Sequence, residues 1–119
     1  MNLLVPIHKR VRQQGFEMAT RQAWKCGVKA NVVNRVVGVV KGRIVCVIEG
    51  VRAEISTPLN NALHDEGSSG RYVFIGGQCY EPNHVIDPGF SDLMFLYIKP
   101  KLQRHRYMTD DELAAILVI

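Results

Sequence analysis

Residues Asn31 to Thr57 read NVVNRVVGVVKGRIVCVIEGVRAEIST, and the fold is decided there. Apolar, mostly β-branched residues run through the stretch and are broken by two X-Gly pairs, Lys41-Gly42 and Glu49-Gly50, at the spacing of two tight hairpins. The pattern predicts a three-stranded antiparallel meander. With two-residue turns, Val39 faces Ile44 and Val37 faces Cys46 across the first hairpin, while Ile48 faces Val51 and Cys46 faces Ala53 across the second. Side chains alternate along a strand, so Val37, Val39, Ile44, Cys46, Ile48, Val51, Ala53 and Ile55 are expected on one core-facing side, with Arg43, Arg52 and Glu54 opposite. Ile44 to Ile48 is apolar on both faces. That requires cover on the second side too, by closure into a barrel or by a helix laid across the sheet.

Upstream, Met1 to Ile7 (MNLLVPI) predicts a short strand, and Pro6, lacking an amide hydrogen, confines it to an edge or marks its end. Phe16, Ala19, Ala23 and Trp24 recur at helical spacing, with Glu17, Arg21 and Lys25 on the opposite face. This predicts an amphipathic helix from Phe16 to Cys26, stopped by Gly27. Downstream, Pro58 can open one or two helical turns over Leu59 to His64, and Asp65 to Gly70 (DEGSSG) is a loop by composition. Arg71 to Ile75 and Gln78 to Glu81 are expected to pair around Gly76-Gly77. Asp87-Pro88-Gly89 marks a turn, and Leu93 to Ile98 a further strand ended by Pro100.

The C-terminus carries the strongest local signature. Thr109 and Glu112 match a capping box, Met108 and Leu113 a hydrophobic staple, and Asp110, Asp111 and Glu112 complement the helix dipole. A helix from Asp110 to about Val118 follows, too short to stand alone, so Leu113, Ile116 and Leu117 must dock on something. The whole reads as one α+β domain over residues 1–119. Its sheet is mainly antiparallel, with five to seven strands, a short helix near the N-terminus and a capped helix at the C-terminus. Meander, helical link and hairpin is also the strand order of a small OB-like or SH3-like barrel.

Of the 119 residues, 47% are hydrophobic and 22% charged, which suits one packed domain and excludes a disordered chain. No apolar stretch has the length of a membrane span, and Met1 to Ile7 lacks the basic lead and cleavage site of a signal peptide. Cys26, Cys46 and Cys79 are odd in number and widely spaced, so the expectation is reduced, buried thiols in a cytoplasmic protein without a disulfide framework.

Motifs of chemistry are few. His8, His64, His84 and His105 form no pair at metal-ligand spacing with each other or with the cysteines, so no metal or other cofactor is expected. Cys79 and His84 lie close in sequence without a nucleophile elbow around them, and His64-Asp65-Glu66 are consecutive, so their side chains diverge. Gly67 to Arg71 could nest an anion on backbone amides but lacks the lysine of a phosphate-binding loop, and a flexible connection is the better reading.

Charge is the one feature that indicates a class of partner. Within a formal net charge of +4, residues 1–43 carry Lys9, Arg10, Arg12, Arg21, Lys25, Lys29, Arg35, Lys41 and Arg43 against the single acid Glu17. Residues 44–98 carry seven acids against Arg52 and Arg71. Lys99, Lys101, Arg104 and Arg106 form a second basic cluster. These nine N-terminal cations predict engagement of an acidic protein surface, and a compact chain without an enzymatic motif suits a small non-catalytic interaction protein of the inhibitor or adaptor type, including those that phages and other mobile elements encode. The alternative is a nucleic-acid or nucleoprotein binding module, with Phe16 or Trp24 available for stacking if exposed. A small enzyme without a sequence motif is the third reading; a homodimer is compatible with all three, and a membrane partner with none.

Overall fold

The computed structural model describes residues 1–8, 10–22, 24–86 and 105–117, and of Val28 only the backbone. The turn expected at Asp87-Pro88-Gly89, the strand at Leu93 to Ile98, and Lys9, Ala23, Lys99, Lys101 and Arg104 lie outside the described residues.

β1 (Asn2–Pro6) runs between two neighbours, parallel to β2 (Arg35–Val40) and antiparallel to β8 (Arg106–Met108). β1 ends at Pro6, and among the described residues β8 pairs with it from Asn2 to Leu4. A parallel pair needs a crossover, and the chain supplies one through α1 (Val11–Arg21) and a 3₁₀ turn at Gly27–Val32. β3 (Arg43–Glu49) returns antiparallel beside β2 and also pairs with β6 (Gln78–Tyr80) and β7 (His84–Val85). The expected α+β class with a mainly antiparallel sheet is therefore present, with one parallel pair added by this crossover.

The expected meander is corrected at its second turn. β4 (Arg52–Ile55) pairs with β5 (Tyr72–Ile75), not with β3, and β5 does not pair with β6. The residues facing one another keep a single register through both ladders, from Val47 opposite Tyr80 to Ile55 opposite Tyr72. β3–β4 and β5–β6 are thus the two arms of one long antiparallel ribbon, bent where Gly50 passes Gly76 and Gly77. All three glycines have positive φ (+77°, +77° and +73°), and a Cβ on Gly77 would fall on the Glu49 carbonyl. The glycines that resemble hairpin turns in the sequence are the hinge of a bend.

The expected single core face is corrected by a bulge. Val39 faces Ile44 as expected, but Gly38, not Val37, faces Cys46, because β3 carries one extra residue there. Alternation is reset at that point. Val37, Val39, Ile44 and Val47 consequently pack with Leu4, Ile86, Met108 and Leu113 on one face, whereas Cys46, Ile48 and Val51 pack with Leu3, Val5, Ala19, Trp24 and Phe74 on the other. Ile55 is 48% exposed. The requirement that β3 be covered twice is met by α1 on one side and by α2 (Asp110–Ile116) on the other.

α2 forms as expected: the Thr109 hydroxyl accepts from the Glu112 amide, the Glu112 carboxylate accepts from the Thr109 amide, and Met108 and Leu113 are both buried. α1 departs from expectation at both ends. It begins at Val11, is broken by Gly15 (φ +77°, ψ 173°), and ends at Arg21. It stops before Gly27 because Trp24 is drawn into a β-bridge, exchanging two backbone hydrogen bonds of 2.9 and 2.8 Å with Tyr72. Of the two aromatics on this segment, Phe16 is 37% exposed and Trp24 is buried. No helix among the described residues is long and apolar enough to cross a membrane.

Candidate binding site beside the first helix

Residues 56–71 close the ribbon, and side-chain hydrogen bonds fix their course. Asn60 accepts from the Thr57 amide and donates to the Ile55 carbonyl; Asn61 donates to Ser56 Oγ and accepts from the Leu63 amide. Such local bonds compete with helix formation, so the turns expected as helix at Leu59 to His64 are not helical, and Leu59 projects fully into solvent. Ser56 Oγ also lies 2.9 Å from His64 Nδ1. Ser56 is buried, and its hydroxyl oxygen also accepts from Asn61, so the pair braces the loop.

The Gly67 to Arg71 nest is not formed. Asp65 caps a single 3₁₀ turn, Glu66–Ser68, accepting from the Ser68 amide and hydroxyl, and the Ser69 and Arg71 amides bond to the Glu66 and Ser68 carbonyls. Three of the five backbone donors in Gly67 to Arg71, those of Ser68, Ser69 and Arg71, are consumed within the loop. What the loop does present is the Arg71 side chain, facing α1 across a cavity of 430 Å³ whose walls include Arg10, Gln14, Gln22, Asp65 and Ser68.

Arg10 is held rigidly there. Its guanidinium stacks 4.0 Å from the centroid of Trp24 and donates to the Gln22 carbonyl. Burial, reinforced by the charge of Arg71, lowers its pKa from the ordinary value, so a negative group between the two arginines would relieve an existing electrostatic cost. Gln14 and Gln22 also line the cavity, and their side-chain oxygens, shut away from solvent, have no hydrogen-bond donor among the described residues. The cavity wall therefore carries two guanidiniums, with the two glutamine oxygens closed off behind it. Asp65, its carboxylate engaged by Ser68, lies on the same wall.

The other residues of the predicted basic surface divide into two kinds. Arg21 pairs with Glu17 at 3.1 Å and donates to the Phe74 and Gly76 carbonyls; Arg35 joins Glu49, Asp110 and Asn2. Both tie elements of the fold together. Arg12, Lys25, Lys29, Lys41 and Arg43 are exposed, Lys29 with its Nζ 5.7 Å from the Tyr107 ring. Sequence reasoning placed Arg71 behind the glycine loop without joining it to Arg10, and it missed Gln14 and Gln22. Only the docking of the ribbon's end against α1 brings these four together.

Among the described residues no three His, Cys, Asp or Glu side chains gather as metal ligands. No protein-family model matches the chain, nor does any curated protein or solved structure.

Proposed function

We propose that the chain is a small intracellular, non-catalytic interaction protein that captures an acidic segment of a partner protein, seating a carboxylate between Arg10 and Arg71. The observation that carries this reading is that two guanidiniums, Arg10 and Arg71, line one cavity closely enough for the charge of one to lower the pKa of the other. An acidic side chain of a peptide would bring a carboxylate to them. The modest formal net charge of +4 and the absence of a recognisable nucleic-acid motif in the sequence support a protein partner over the nucleic-acid alternative. The exposed cations Arg12, Lys25 and Lys29 would steer the encounter.

The test is calorimetric titration of the folded protein with an oligo-glutamate peptide and, separately, with a single-stranded oligonucleotide. The peptide is expected to bind, and Arg71→Gln to weaken it about tenfold, the loss of a charge-assisted contact. Oligonucleotide binding that falls steeply with salt, alongside no affinity for the peptide, would replace this reading by the nucleic-acid one.

A further inference from the structure

Cys46 and Cys79 are 33 residues apart in sequence and 3.3 Å apart at their sulfurs. Cys46 lies on β3, wholly buried; Cys79 lies on β6, a three-residue strand at the end of the sheet order, and is only partly buried. Cys79 stands opposite Ile48, two residues along β3 from Cys46, so the thiols meet diagonally across the strand pair. A disulfide requires the sulfurs to close to about 2.05 Å. The partner that would move is β6, the edge strand entered through the Gly76-Gly77 bend.

We infer that Cys46 and Cys79 form a redox site, in which a low-molecular-weight disulfide oxidises the pair to an intramolecular disulfide. The Cys79 thiolate, on the accessible side, attacks the reagent disulfide, forming a mixed disulfide and releasing one small thiol. The Cys46 sulfur then attacks Cys79 Sγ, closing the protein disulfide and releasing the second. Two electrons pass from the protein to the reagent, and the two cysteine protons end on the two released thiols. The first step is the slow one: burial, then the neighbouring Cys46 and Glu17, raise the Cys79 pKa to about 12. The second gains from having its nucleophile already in place. The closed bond would staple the edge arm of the ribbon to β3 beside its bend. Nothing in this inference depends on the proposed partner.

The test is incubation of the native protein with oxidised glutathione, followed by quenching and non-reducing peptide mass spectrometry. The expected product is a cross-linked Cys46–Cys79 peptide with little glutathione retained on Cys79, and Cys46→Ala should instead accumulate the Cys79–glutathione adduct. A wild-type protein that accumulates that adduct without cross-linking overturns the inference. So does one in which neither cysteine changes while a short cysteine peptide in the same tube is fully oxidised. Both readings come from the wild-type chain alone, so they stand even if the alanine variant does not fold.

Discussion

Gly77 and Gly70 share a backbone sign and differ in surroundings: φ is +73° at the first and +78° at the second, yet a methyl group on Gly77 meets the Glu49 carbonyl while one on Gly70 meets nothing within 4 Å. Gly70→Ala should therefore cost only the left-handed strain of an L residue, about 1 kcal/mol. Gly77→Ala adds a backbone clash at the closest point of the ribbon and should cost about 3 kcal/mol or more. Chemical denaturation of the two variants checks the ordering, and equal losses would mean that the arms do not approach as described. In the sequence both positions are simply glycines near turns. Positive φ is legible from residue type; a close approach is not, because the opposing carbonyl comes from another segment.

Whether an element could be read in advance depended on how far its partners lie along the chain. The α2 cap uses residues three apart, and every bond expected of it is present. Its chemistry also sets an acid response. The Asn2 amide, followed by Arg35, holds the Asp110 carboxyl below its ordinary value of 3.8, and the Thr109 amide holds Glu112 below 4.5. Groups depressed in the folded state contribute stability above the unfolded pKa and lose it as pH falls through the folded pKa. Asp110→Asn should thus be less stable than wild type near about pH 7, and the difference should vanish below the carboxylate range. Thr109→Ala should cost about 1 kcal/mol. Thermal melts across pH decide both, and an Asp110→Asn deficit that persists in acid would detach Asp110 from Asn2 and Arg35. Strands fared differently from the helix. Their existence was legible from β-branched runs, but the exchange of partners at Gly50 and Gly76-Gly77 and the extra residue opposite Gly38 are settled by contacts between distant segments. α1 ended early for the same reason, since the bridge from Trp24 to Tyr72 overrides a local helical pattern.

At the scale of the molecule, the basic N-terminal third combines cations bound into the fold with cations that are exposed. Arg10 and Arg21 carry hydrogen bonds to the Gln22, Phe74 and Gly76 carbonyls. Reversing either to glutamate would strip donors from those carbonyls and place an anion against them, so lost binding in such a variant would report unfolding as much as recognition. Arg12, Lys25 and Lys29 are exposed on the elements leading from β1 to β2, and substitutions there should leave the melting temperature nearly unchanged. Reversing these three to glutamate turns the formal net charge of +4 negative, and the effect should fall on association. Stopped-flow measurement with the oligo-glutamate peptide should show a slower on-rate, a weaker salt dependence of that rate, and a nearly constant off-rate. Arg71→Gln should do the reverse, raising the off-rate and leaving the salt dependence of the on-rate almost intact. The two variants separate steering from seating. If the triple variant melts like wild type and binds the peptide as fast at every salt concentration, the exposed cations only solvate the fold, and recognition rests on the Arg10–Arg71 cavity alone.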